Sequence, residues 1–382
     1  MDFLQYKPLL QEMIEFGEDF ELSNNTIEII FSKALDSFIR NKITKTNIKN
    51  EELLSEIKKE TTNYYLKESK KFFVVTSLSL TGGSPFKSIK IGDTIISFKG
   101  SEMPRKFRSR SELAKRWKVD HPYTPTDATV ITIAIQAKSP EDAFHTAFNA
   151  LDYLRGILAL HVNMGMKLNL TGRIAAPMNR ILVEGMHTVH HENGDLATDT
   201  FWYEDRKAAK PYQIPEETLA SLAKNTKKIL RKIENIKDGK IIRDALIRYS
   251  RALDEKDSDH AIIRLWGALE SVVSESNNAE LVVRRCSYLY NEHELVKQIL
   301  ESARTYRNRN VHAGVTSPLS ESLSYQINDI FRSLIIFYAR NTFNSLREAN
   351  SFLDSPIMDG DIERKIKLLR KASRFRNPGF PH

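Results

Sequence analysis

Arg307 and His312 stand with four residues between them in the run Ala303-Arg-Thr-Tyr-Arg-Asn-Arg-Asn-Val-His-Ala-Gly314. Histidine has an ordinary pKa of about 6.5, so it can give or take a proton near neutral pH. Arginine stays charged and grips phosphate through two parallel hydrogen bonds. The pair suits cleavage of RNA without a metal. That reaction needs a base for the 2′-hydroxyl proton, an acid for the leaving 5′-oxygen, and positive charge on the phosphorane. Plainer roles are open to the same residues: His312 can cap the preceding helix through a carbonyl, and Arg309 can be a solvated side chain.

These residues need helices to hold them. About fifty positions upstream, Ala261-Ile-Ile-Arg-Leu-Trp-Gly-Ala-Leu-Glu270-Ser-Val-Val is an apolar helix carrying one carboxylate. A carboxylate among core residues needs a partner, and Arg307 is the expected one. Trp266 shares helical spacing with Ile262, Leu265, Leu269 and Val273, which makes it core. Periodicity predicts helices over Glu216–Ile236, Ile241–Leu253, Asp257–Ser274, Ala279–Tyr290, Glu292–Thr305 and Leu319–Leu346. The motif then falls at a helix end, before a Thr-Ser-Pro loop.

The two segments together resemble the HEPN domain (higher eukaryotes and prokaryotes nucleotide-binding), and are most similar to its ApeA-like group. The shared features are Leu265-Trp-Gly-Ala-Leu-Glu270 and Arg307-Asn-Arg-Asn-Val-His312. The likeness covers about Asp257–Arg340. It implies a small helical bundle, Arg307 and His312 as catalytic residues, and Glu270 and Asn308 in support. It also implies a metal-independent endoribonuclease without cofactors that leaves 2′,3′-cyclic phosphate and 5′-hydroxyl ends. Resembling enzymes pair two domains across one cleft, so a homodimer is expected. Helices Asp257–Ser274 and Leu319–Leu346 are the expected interface, since both read as apolar over more surface than one bundle buries. A monomeric enzyme would need another proton-transfer group, with His260 and His293 first in line. Toxin or antiviral abortive-infection roles, with a phage or partner-protein trigger, follow by analogy. The alternative is a non-catalytic RNA-binding, nucleotide-binding or dimerisation module.

The first 210 residues have another character. Residues 1–68 read as helical. Lys71–Leu80 is rich in β-branched and aromatic residues, and Ser88–Phe98 reads as a hairpin about Gly92-Asp93. Thr129–Gln136, Arg180–Val189 and Ala197–Tyr203 read as strands. Ser139-Pro140-Glu-Asp starts a helix to about Val162: an N-cap, a proline at the first position, and two acids in the first turn. The expected fold class is α+β: a mixed region over 1–210, a helical domain over 215–350, and a basic tail over 356–382.

Charge is unevenly spread. The chain has 57 basic and 49 acidic side chains, net +8. Residues 61–120 hold much of the surplus, and Ile362–Arg376 carries seven basic groups and one acid. Clustered positive charge favours a polyanion such as RNA. In Met103–Lys118 the candidate RNA contacts are Arg105, Lys106, Arg108, Arg110, Lys115 and Arg116, interleaved with Phe107 and Trp117. A surface loop with a short helix is the plainer reading. The amphipathic tail can follow RNA, meet an acidic partner, or pack outside the bundle. His187, His190 and His191 read as a half-exposed strand end rather than a metal site, with His187 and His191 on one face.

Several classes are excluded or disfavoured. No stretch of about 18 apolar residues exists, so no membrane partner is expected. The N-terminus lacks the basic-then-apolar layout of a secretory signal. Cys286 is the single cysteine, which rules out an internal disulfide and a cysteine-type zinc site. Those features lead to the expectation of a cytoplasmic protein.

Overall fold

Ser139 does what the sequence asks of it. Its hydroxyl accepts the backbone N–H of Asp142 at 3.1 Å, and the helix that follows runs Pro140–Val162. A computed structural model of the chain describes residues 9–10, 13–14, 24–42, 50–119, 127–163, 177–205, 210–274, 278–313 and 319–376. The architecture is mixed α+β. The chain divides into two units, Met1–Leu151 with Val183–Lys210, and Asp152–Leu182 with Pro211–His382.

The first unit opens with helices α1 (Asn24–Lys42) and α2 (Asn50–Leu66). They pack through Phe31, Ala34, Leu35 and Ile57. Asp142 fixes them to the sheet domain: its carboxylate accepts from Thr26 on α1 and from Tyr64 on α2, each at 2.7 Å. That bond and burial raise the Tyr64 pKa, burial being the larger cause.

The strands of the main sheet are β1 (Lys70–Leu78), β2 (Ser88–Ile91), β3 (Thr94–Phe98), β4 (Thr129–Ala137), β5 (Val183–His191) and β6 (Trp202–Glu204). Helix α3 (Ser109–Arg116) precedes β4, and α4 (Pro140–Val162) follows it. The strands form one sheet in the order β2-β3-β4-β1-β5-β6, and the recorded pairs are antiparallel. The β2–β3 hairpin turns at Gly92, whose φ of 55° suits glycine.

Pairing of β1 with β5 breaks opposite Thr76. Val75 faces Thr188 but Ser77 faces Glu184, so β5 bulges there, with Gly185 at φ 75°. A bulge leaves carbonyls without ladder partners. Arg110 of α3 supplies donors: its guanidinium gives hydrogen bonds to the Met186 carbonyl at 2.5 Å and the Val75 carbonyl at 3.5 Å.

The second unit is built on helices α5 (Glu216–Asn235), α6 (Gly239–Leu253), α7 (Ser258–Val273), α8 (Ala279–Ser287), α9 (His293–Ala313), α10 (Ser320–Arg340), α11 (Leu346–Leu353) and α12 (Asp359–Arg376). Trp266 of α7 is fully buried, as expected. Tyr249 of α6 stacks on Phe331 of α10 at 4.4 Å and donates to Asn328 at 2.7 Å. Cys286 is buried, and burial pushes its thiol up to about 12, so it packs as a small apolar group.

Residues Asp152–Leu182 join this unit through a buried ionic node. Arg155, on the C-terminal part of α4, is wholly enclosed. It binds Asp152 at 2.7 Å, Asp254 at 2.5 Å, and the Ile181 carbonyl at 2.9 Å. Asn179 adds a bond to Asp254 at 2.8 Å. One residue along, Gly156 leaves no room for a Cβ, which would stand 2.5 Å from the Leu246 carbonyl of α6.

Three expectations are corrected. Helix α9 runs through Arg307 and His312 instead of ending at Thr305, so the motif lies within a helix. The predicted helix Leu319–Leu346 stops at Arg340, and a separate helix, α11, begins at Leu346. Ser345 caps α11 by accepting the Glu348 N–H at 3.1 Å, which a reading by apolar periodicity passes over. The surplus apolar surface expected on α7 is not seen, because Leu265, Trp266 and Leu269 are all fully buried.

Arg155→Ala should lower the stability of the protein by about 3–5 kcal/mol, because it removes the buried charge that binds Asp254 and leaves Asp152 with Arg251 alone. Urea unfolding measures this. A loss below about 1 kcal/mol would mean that the node does not hold the unit.

Candidate active site

Glu270 sits near the C-terminal end of α7, on a helix whose buried positions are apolar apart from Asp259 in the first turn. Its carboxylate is 14% exposed, too enclosed to be left to water alone. Arg307 of α9 answers it, with Nη2 at 3.8 Å from Oε2. The expected reach between the two residues is present. Arg307 also donates from Nη1 to the Asn308 side-chain oxygen at 3.0 Å. Asn308 therefore orients the guanidinium from the next residue along the same helix.

A guanidinium carries five N–H donors. One goes to Asn308 and one faces Glu270. The Arg307 side chain is 34% exposed, so part of the fork faces solvent. At this distance and exposure the ion pair contributes about 0.5–1 kcal/mol to stability at most. Its main effect is orientation, holding a charged fork at a surface where an anion can meet it.

The neighbouring residue ties α9 to α7 a second time. Tyr306 donates to Asp259 at 2.5 Å, in the first turn of α7. Asp259 and Glu270 are eleven residues apart, about 16 Å along the helix. Two bridges that far apart fix how α9 lies on α7. Sequence periodicity missed Tyr306 because its phenol pairs with a residue remote in sequence.

Arg309 is exposed, as is Asn308. His312 belongs to the last turn of α9, and its side chain lies outside the described residues, as do residues 314–318. His260 is exposed, and His293 lies 3.5 Å from Glu294. His161, which sequence reasoning passed over, is partly buried. Burial and, secondarily, Arg332 and Arg340 lower its pKa.

No family model matches the chain, and no curated protein or solved structure matches it either. The assignment of a role to these residues therefore rests on their chemistry and geometry.

The basic segment of the first unit is only partly available to a ligand. Arg105, Lys106, Arg108, Lys115 and Arg116 are exposed. Arg110 is fully buried on the β-bulge carbonyls, so it is not an RNA contact. Lys106 stands over the Phe73 ring at 4.3 Å, and Arg116 pairs with Asp199 at 2.8 Å. Phe107 is core, whereas Trp117 is 59% exposed.

The histidine cluster is also corrected. His187 and His190 are both buried, because β5 lies between β1 and β6 and is covered on both faces. His187 meets Phe148 of α4 at 4.9 Å, and Thr76 lies 2.8 Å from its Nδ1. His190 meets Phe107 at 4.9 Å, with Nδ1 2.9 Å from the Gly194 carbonyl. His191 is exposed. Among the described residues no group of three or more His, Cys, Asp or Glu could hold a metal.

Burial pushes the His190 pKa down to about 4, against the bond to Gly194, which raises it. Burial depresses His187 too. The unfolded chain then binds protons that the folded chain refuses. The stability these residues provide is fully present above pH 6.5 and is lost as the pH falls through about 4, by up to about 3 kcal/mol for His190. Urea unfolding between pH 7 and 4 should show this decline, and His190→Asn should flatten part of it. A wild-type profile level down to pH 4 would contradict the buried neutral state.

Proposed function

We propose that the chain is a metal-independent endoribonuclease of HEPN type. The observation that carries the reading is the Arg307 guanidinium held by Glu270 and Asn308 on α9, with His312 one and a half turns further along the same helix. In this reading Arg307 binds the scissile phosphate and stabilises the charge that develops on it. His312 transfers the proton of the 2′-hydroxyl or of the leaving 5′-oxygen. Products carry a 2′,3′-cyclic phosphate and a 5′-hydroxyl. Glu270 and Asn308 are positioning residues.

One chain offers one Arg-His pair, and the reaction needs an acid and a base. A two-fold homodimer brings a second pair to the same cleft. The chemistry alone supports this step. A toxin or antiviral effector is the biological setting of similar enzymes, and exposed Arg105, Lys106, Arg108, Arg309, Lys115 and Arg116 are the proposed RNA contacts.

Purified protein should cleave total RNA in EDTA, and Arg307→Ala and His312→Ala should each reduce the rate at least about 100-fold with unchanged circular dichroism. Glu270→Gln should cost less, since it acts through Arg307. The active species should have twice the mass of the chain by light scattering. Wild-type rates in both alanine variants would overturn the catalytic assignment. RNA binding without cleavage would favour a non-catalytic RNA-binding module.

A further inference from the structure

Helix α12 spans eighteen residues, Asp359–Arg376, and none of them is buried. That removes packing on the outside of the bundle as its role. Its apolar residues stand in water: Phe375 is 89% exposed, Leu368 66%, Leu369 59% and Ile366 44%. Ile357 and Met358, just before the helix, are exposed as well. Four solvent-facing apolar side chains of this size on one helix mark a docking surface.

The distribution around the helix selects the occupant. At 100° per residue, Ile362, Ile366 and Leu369 lie within about 60° of one another. Ala372, Leu368 and Phe375 continue that sector to about half of the circumference. Arg364, Lys367, Arg370, Lys371 and Arg374 occupy the opposite half. Lys365, Arg376, Ser373 and Asp361 fall inside the apolar half; the long basic stems can lie along hydrocarbon while their charges reach outward, and Asp361, in the first turn, pairs with Arg364 at 3.2 Å. RNA would satisfy the basic half and leave the apolar half in water. A protein groove takes a narrow line of anchors, not half of a helix. A plane that is apolar below and anionic above satisfies both halves together.

We propose that α12 lies on the surface of an anionic lipid bilayer, with Ile366, Leu369 and Phe375 inserted and the arginines and lysines at the headgroups. No membrane partner was expected from the sequence, because no segment spans a bilayer; no helix among the described residues is long and apolar enough to cross one. A helix lying in the interface needs no such span.

The test is co-flotation of the full-length protein with vesicles of pure phosphatidylcholine or of phosphatidylcholine with 30% phosphatidylserine. Binding is expected to the anionic vesicles and not to the neutral ones. Leu369→Ser with Phe375→Ser leaves the net charge unchanged and touches no buried residue, and should weaken vesicle binding about tenfold or more. Anisotropy with a single-stranded RNA should be unaltered by the same pair of substitutions. The proposal is overturned if the anionic vesicles do not bind, if they bind equally well after the double substitution, or if the substitutions weaken RNA binding while vesicles remain unbound. None of these outcomes depends on nuclease activity.

Discussion

A buried arginine between two buried aspartates organises the helical unit. Arg155 binds Asp152 beside it and Asp254 a hundred residues later, and each carboxylate needs that charge. Burial alone would push the guanidinium toward neutrality, and the two aspartates reverse this and raise its pKa. Arg251 adds a bond to Asp152 at 2.7 Å, so that acid is shared by both arginines. The node joins the C-terminal part of α4 to the end of α6. Asn163 and Asn328 extend the polar contacts to α10. Polar contacts of this kind demand specific geometry, unlike the apolar packing around them, and so select one arrangement of these helices.

That arrangement leads to the candidate site. Helix α6 packs on α7, whose buried face includes Leu265, Trp266 and Leu269. One turn from the end of α7 the pattern admits Glu270, and α9 meets it with Arg307. Tyr306 and Asp259 prevent α9 from sliding. An arginine positioned this way gives one donor to Asn308, pairs by charge with Glu270 and keeps other donors for an incoming anion. A preorganised cation of that kind stabilises developing phosphate charge without moving during the reaction. In the proposed reading the two ties to α7 serve to orient this guanidinium.

Much of this was legible in the sequence because local chemistry and periodicity agreed. Ser139-Pro140 with its first-turn acids fixed the start of α4, Gly92-Asp93 the hairpin, and the spacing of Ile262, Leu265, Trp266 and Leu269 the core face of α7. Glu270 was legible as a carboxylate out of place. The end of α9 was not, because Asn308, Arg309 and Asn310 are polar and periodicity tracks only apolar residues. Arg110 looked like one more base in a basic run, since only the bulge at Gly185 reveals why it is buried. His187 and His190 read as surface because nothing local says that β5 is covered on both faces. The division of α4 between two units has no proline or glycine to mark it, only the tie from Arg155 to Asp254.

The chemical nature of the cut ends is the most direct test of the account. RNA treated with the protein in EDTA can be purified and offered to polynucleotide kinase with labelled ATP, without prior phosphatase. If Arg307 and His312 work as described, the new 5′ ends are hydroxyls that take up label directly, and the His312→Ala protein generates none. New 5′ ends that need dephosphorylation before labelling, or cleavage that appears only when a divalent metal is added, would contradict a metal-free transfer to the 2′-oxygen.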